Sequence, residues 1–273
     1  MATVFKQTTP IVLSFPKMVA LQCRPERINP YDVSLTDRQE RLPWWSQKRI
    51  QSASILIVGC GGLGSNQGKV HQQTGLGQLD FIDHGLVEDS NRNRQLFTAN
   101  DVGRPKAHQL LKNLQPFATF RTRLRGYYMT FEEWAMDGRR PRYDTIVCGA
   151  DNFRTMVAVA GYGITTVTTV VFVNVSRDGE ACRIFIQRPR PTAPCFACYM
   201  PQALEQGVDD KTCIPSPAIA DILQVAIGMS ARATAGEILG VPIGEYNCRN
   251  WTFSGIDLKQ TIRKRPHCPL CGD

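Results

Sequence analysis

Two groups of residues in this sequence have types and spacing suited to chemistry: a glycine run followed by charged loops, and two close pairs of cysteines. Gly59-Cys60-Gly61-Gly62-Leu63-Gly64 spells G-x-G-x-x-G directly after the apolar run Ile55-Leu56-Ile57-Val58, and a helical pattern opens at Ser65. Glycines at these intervals let the backbone approach phosphate or ribose, and the N-terminus of the following helix favours negative charge. Asp83 lies 19 residues past Gly64, at the end of the next apolar run. A carboxylate there accepts hydrogen bonds from ribose hydroxyls. Loop and carboxylate together indicate a nucleotide, without choosing between NAD and ATP.

The charged residues that follow make the choice. Ser90-Asn91-Arg92-Asn93-Arg94-Gln95 comes after Asp83, then Asp101-Val102-Gly103-Arg104-Pro105-Lys106, and Asp151-Asn152 closes a later apolar run. A triphosphate brings several negative charges and a magnesium ion; splitting it to leave an adenylate needs cations on the phosphates and a carboxylate for the metal. Arg94 offers a planar fork for phosphate, Lys106 a point charge and Asp151 a hard oxygen ligand. An NAD-dependent dehydrogenase would use the glycine loop and Asp83 but leave these three idle. ATP is the better reading.

Cys195-Phe196-Ala197-Cys198 and Cys268-Pro269-Leu270-Cys271 are separated by 69 residues. Four thiolates suit a closed, tetrahedral, structural zinc site, which here would staple residues 268–271 back onto residues 195–198. The chain has ten cysteines but no recognisable export signal, so metal is favoured over disulfides and a cytoplasmic enzyme is expected. The net charge of +8 is spread in small groups with no aromatic-interleaved basic stripe, which speaks against nucleic acid as the partner. No apolar run has the length and continuity of a membrane span.

These groups need a scaffold. Residues 1–35 carry four prolines without a sustained period and read as an extended arm; Asp37 to Ile50 looks helical apart from Pro43. Strand and helix signals then alternate: a strand at Ile55–Val58, a helix at Ser65–Thr74, a strand at Leu79–Asp83, a helix at Lys106–Leu114, and strands at Thr119–Leu124 and Thr145–Cys148. This rhythm predicts an α/β fold with a doubly wound, Rossmann-like sheet. The run Val157–Val175, with Gly161 and Gly163, reads as a loop leading into a buried strand. Beyond residue 165, two Thr/Val/Ile-rich runs suggest additional antiparallel strands. A long helix is expected to start with Ser216 as N-cap and Pro217 at its first position, and to end near Gly240.

Five motifs in this order resemble the ThiF/MoeB/E1 superfamily, the ATP-dependent activators of ubiquitin-like and sulfur-carrier proteins, over residues 36–273. The resemblance implies an adenylation domain in which Gly59, Gly61, Gly62, Gly64, Asp83, Asn91, Arg94, Gln95, Lys106, Asp151 and Asn152 hold ATP and magnesium. It implies zinc on Cys195, Cys198, Cys268 and Cys271. It also implies that the chain converts the C-terminal carboxylate of a partner protein ending in Gly-Gly into an acyl-adenylate. Arg38 and Arg41 have the R-x-x-R spacing with which family homodimers reach an arginine into the partner's ATP site. Cys213 lies where some members form a thioester or persulfide, with an E2-like or sulfurtransferase protein as acceptor. A family branch that adenylates a carboxylate on a tRNA nucleoside is the alternative.

Overall fold

Short buried strands with side chains alternating between two apolar layers set the architecture. The computed structural model describes residues 35–118, 120–137, 141–206 and 219–272. In chain order, α1 (Asp37–Glu40) and α2 (Gln47–Ser52) precede β1 (Ser54–Val58), α3 (Gly62–Gln73), β2 (Gln78–Ile82), α4 (Lys106–Leu114) and β3 (Arg123–Tyr127). Then come α5 (Phe131–Met136), β4 (Thr145–Cys148), α6 (Phe153–Thr165), β5 (Thr169–Val175) and β6 (Ala181–Gln187). The chain continues with α7 (Phe196–Tyr199), α8 (Ala203–Gln206), α9 (Ala220–Leu239), β7 (Cys248–Thr252) and β8 (Asp257–Gln260).

The strands form one eight-stranded sheet in the order β3-β2-β1-β4-β5-β6-β7-β8. Strands β1 to β5 pair in parallel, and β6, β7 and β8 extend the sheet antiparallel. On β1, Ile55 and Ile57 face a layer closed by α3, α4 and α9, while Leu56 and Val58 face a layer closed by α5, α6 and α7. Both faces are covered, which is why these strands read as continuous apolar runs. The strand order turns about β1 and β4, and ligands of such sheets gather at the strand C-terminal ends beside that turning point. The glycine loop leaves β1 there, and Gly149-Ala150-Asp151 leaves β4 beside it.

Several expectations need correction. The helix expected over Asp37–Ile50 is two short helices, because Pro43 lacks an amide hydrogen and pushes the residue before it out of the α region. Residues 157–165, expected as loop, belong to α6; its glycines serve packing, since a Cβ on Gly163 would lie 2.5 Å from the Val170 side chain. β3 starts at Arg123, set by its register against Gln78 on β2, and Thr119 lies outside the described residues. The long helix starts at Ala220 after Ile219 rather than after Ser216, which with Pro217 lies outside the described residues; it stops at Gly240 as expected, with φ of 71°. The residues expected to form an N-terminal arm are outside the described residues up to Ser34.

Candidate functional site

The glycine loop is built by close approach. Gly59 has φ of 89°, and a Cβ on it would sit 3.3 Å from the Gly149 carbonyl oxygen, so the loops leaving β1 and β4 touch through backbone. A Cβ on Gly64 would fall 1.7 Å from the Gly59 carbonyl oxygen; only glycine lets α3 start this tightly against the strand end. Gly61 is the N-cap of α3 and a Cβ there would meet only Gln95 Nε2, at 4.0 Å, which leaves the space over the helix N-terminus open.

Asp83 stands one residue past β2 and its carboxylate is fixed from two sides. The Cys60 amide donates to Oδ2 at 2.6 Å and the Gly85 amide to Oδ1 at 2.6 Å. Each oxygen keeps a lone pair for a further donor. The carboxylate thus ties the second strand to the glycine loop, a role the sequence reading did not foresee. Beside it, Burial followed by the nearby Asp83 charge pushes the Cys60 thiol well above its usual range, so this cysteine stays neutral.

Arg94 and Lys106 border the same loop. The stem of Arg94 lies 3.7 Å from where a Cβ on Gly62 would be, and its Nη1 donates to the Ser90 carbonyl at 2.7 Å and to Asn93 Oδ1 at 2.9 Å. Asn66 on α3 donates to the Gly62 and Arg94 carbonyls at 2.8 and 3.0 Å, pinning that loop to the helix. Lys106 begins α4, and its Nζ lies 3.7 Å from where a Cβ on Gly85 would be, close to Asp83 but without an ion pair among the described residues. Asn91 is buried and shapes the loop by accepting from the Glu88 amide at 3.1 Å. Gln95 is half-buried, and its Oε1 is buried without a partner among the described residues.

Asp151 follows β4, is exposed, and carries no ion pair to a described residue. Asn152 is the N-cap of α6, accepting from the Thr155 amide at 2.8 Å. From Asp151 a cleft of about 330 Å³ runs across the ends of β4, β5 and β6, lined by Met156, Asn174, Arg183, Phe196 and Tyr199 among others. Its aromatic wall is stacked in place: Phe196 on Phe172 with centroids 4.5 Å apart, and Tyr199 on Phe185 at 4.8 Å. The sequence reading missed these residues. The rule that singled out Asp151, a polar side chain at the C-terminal end of a buried parallel strand, also points to Asn174 at the end of β5.

The four cysteines come together as expected. Their Sγ atoms all lie within 4.8 Å of one another, with separations of 3.8 Å for Cys195–Cys198, 3.7 Å for Cys195–Cys268 and 3.5 Å for Cys198–Cys271. A tetrahedral ion with metal–sulfur bonds of about 2.3 Å sets sulfurs about 3.8 Å apart, whereas a disulfide needs about 2.05 Å. The cluster fits a metal. The Arg265 amide points at Cys198 Sγ from 3.3 Å, a donor for a thiolate.

The two arginines of the R-x-x-R pair stand on α1 and at its C-cap. Arg38 is exposed on α1, whose neighbour Gln39 donates to the Thr74 carbonyl at the C-cap of α3 at 3.2 Å. A helix of 12 residues is about 18 Å long, so Arg38 sits at the far end of α3 from its own chain's glycine loop. Arg41 pairs with Asp37 at 2.9 Å. Cys213 lies outside the described residues.

The model of the ThiF family matches residues 33–272. The chain belongs to that family, within the ThiF/MoeB/E1-like adenylyltransferases. It is 30% identical over 240 residues to the sulfur carrier protein adenylyltransferase of Thermus thermophilus, covering 83% of this chain and 85% of that protein. It is 30% identical over 246 residues to the adenylyltransferase and sulfurtransferase UBA4 of Lodderomyces elongisporus, covering 84% of this chain but 51% of that longer protein. Among solved structures, E. coli MccB with ATP superposes with a TM-score of 0.69 at 20% identity, over 83% of this chain and 68% of MccB, which speaks to the fold. Among the described residues no helix is long and apolar enough to cross a membrane.

Proposed function

We propose that this protein uses ATP to adenylate the C-terminal carboxylate of a small sulfur-carrier or ubiquitin-like protein. The observation that carries the reading is the convergence of Asp83, Arg94 and Lys106 on the glycine loop, with Asp151 across the β1–β4 gap at the head of an open cleft.

In this reading ribose hydroxyls hydrogen-bond to Asp83, whose carboxylate is already held by two amides, so little ordering is needed on binding. The phosphates lie over the N-terminus of α3, where Arg94 and Lys106 neutralise charge as pyrophosphate leaves. Gln95 Nε2, 4.0 Å from where a Cβ on Gly61 would be, faces that space as a donor for a phosphate oxygen. Asp151 would hold magnesium, which would supply further charge neutralisation to the triphosphate. The partner's C-terminus enters along the cleft, and its carboxylate oxygen attacks the α-phosphorus in line. The P–O bond to pyrophosphate breaks, leaving acyl-adenylate. Positioning and electrostatics supply the rate enhancement. Cys195, Cys198, Cys268 and Cys271 would hold zinc as a structural ion, with all four positions taken by thiolates.

Arg38, remote from its own glycine loop, fits a role in the ATP site of a second copy in a homodimer. The test is ATP–pyrophosphate exchange with a purified sulfur-carrier or ubiquitin-like protein, intact and lacking its last two residues. Exchange that needs the intact end supports the reading; exchange stimulated by tRNA instead, or tight NAD binding without ATP binding, overturns it.

A further inference from the structure

The outer half of the cleft carries a charge pattern that the adenylation step does not use. Among the described residues, Asp151 is the only acidic one on its lining; Arg177 and Arg183 line it at the β5–β6 end, and neither makes an ion pair with a described residue. Arg183 is exposed on β6, and strand register places it directly opposite Asn174 on β5 and Asn250 on β7. Asn174, Arg183 and Asn250 therefore form one polar row across three strands, on the face that also carries Phe172 and Phe185 one step further in. Arg183 lines the cleft together with Tyr199, whose ring is stacked on Phe185 at 4.8 Å and which ends the short helix that also carries Cys198.

Resting on the proposed function, we infer that Arg183 selects partner proteins with a carboxylate side chain about three residues before their C-terminal residue. The spacing follows from the sheet. Register sets Cys148 on β4 opposite Phe172, and so Ala150 level with Asn174, which places Arg183 two strands from the residue before Asp151. Two strand spacings of about 4.8 Å make roughly 10 Å, and an extended chain advances about 3.3 Å per residue. Small residues at the tip thus pass Asp151 and the aromatic wall. The next side chains reach the polar row, where Asn174 and Asn250 offer amides to an extended backbone and Arg183 a fork that fits a carboxylate. A lysine at the same point would meet Arg183 and Arg177 with like charge.

The experiment uses the full chain in ATP–pyrophosphate exchange with three heptapeptides ending in two glycines. They differ only in carrying glutamate, glutamine or lysine three residues before the last. The expected result is a kcat/KM at least tenfold higher for the glutamate peptide than for the lysine peptide, expressed in KM, with glutamine between. Arg183→Gln should erase the difference, and Arg183→Glu should turn it to favour lysine, while the KM for ATP stays unchanged in both. Equal kcat/KM for all three peptides in the wild type overturns the inference and leaves the adenylation reading standing, as does a preference that survives Arg183→Glu. Exchange with none of them while an intact carrier protein is turned over overturns the inference alone; exchange with neither, under conditions where ATP binds, overturns both.

Discussion

Cys195 and Cys268 are 73 positions apart in the chain and 3.7 Å apart at their sulfurs. The pair joins the turn before α7 to the segment that follows β8, so an ion held there would close a loop that contains α9, β7 and β8. Between Cys195 and Cys198 lies Phe196, and next to Cys198 lies Tyr199, both on the cleft wall. Structural zinc contributes on the order of 10 kcal/mol of apparent binding free energy in small peptides. Stripping the metal, or Cys268→Ser, is therefore expected to lower stability by at least about 3 kcal/mol, a Tm fall of roughly 6–12 °C for a domain of this size. At temperatures where the protein stays folded, the KM for the partner protein should rise while the KM for ATP changes little. Calorimetry and exchange kinetics on metal-free protein check both; an unchanged Tm would remove the metal from the account.

Lys106 is the second point of test. It sits at the first turn of α4 with no ion pair to a described residue, close to Asp83 and the glycine loop. Removing a charge that acts as pyrophosphate departs costs about 2–4 kcal/mol of transition-state stabilisation, or roughly 30- to 900-fold in rate. Lys106→Ala should lose that much pyrophosphate exchange with an unaltered unfolding curve. Near-normal exchange would remove Lys106 from the phosphate site.

The charges and glycines were legible in the sequence because their roles are set by local spacing: a turn after a buried strand, a helix start, a carboxylate at the end of the next strand. The cleft beyond Asp151 was not. Phe196 and Tyr199 reach it only because Cys195 and Cys198 meet Cys268 and Cys271 across the chain, and Arg183 lines up with Asn174 only through the β5–β6 register. Register between distant strands leaves no periodic trace in either one. Residues 157–165 were misread for a related reason: Gly161 and Gly163 lower helix propensity locally, yet Gly163 is required by the contact with Val170. At the start of α6 the N-cap is Asn152, which leaves the neighbouring Asp151 carboxylate free for a ligand.

Two glycines of the same loop separate folding from binding. Gly64→Ala puts a Cβ where the Gly59 carbonyl oxygen is, so the helix start must move, and a loss of about 3 kcal/mol or more is expected. Gly61→Ala meets nothing closer than 4.0 Å and costs only a modest change of N-cap, within about 1 kcal/mol. Its methyl group would nevertheless stand over the helix N-terminus, in the space assigned to phosphate. Denaturant unfolding should thus show Gly64→Ala damaged and Gly61→Ala near wild type, while ATP binding by Gly61→Ala falls tenfold or more. ATP binding at wild-type strength in Gly61→Ala would place the phosphates elsewhere.

His71, on the last turn of α3, gives the fold an acid limit. It is 4% exposed, its Nε2 has no partner among the described residues, and burial pushes its pKa down to about 4. In the unfolded chain the imidazole titrates near its ordinary value of 6.5. Above that pH it is neutral in both states and costs nothing. As pH falls from 6.5 toward 4, the unfolded chain takes up a proton that the folded protein refuses, so stability drops by about 1.4 kcal/mol per pH unit, some ~3 kcal/mol in all. Asp80, buried on β2 with its carboxyl pushed up by desolvation, works with the opposite sign, because the folded state then binds its proton first as pH falls. Comparing the wild type with His71→Leu cancels the Asp80 contribution. Urea unfolding at pH 7.0 and pH 4.5 should show the variant losing about 2 kcal/mol less than the wild type between the two. An identical pH dependence in both proteins would mean that the imidazole is solvated or paired in the folded state.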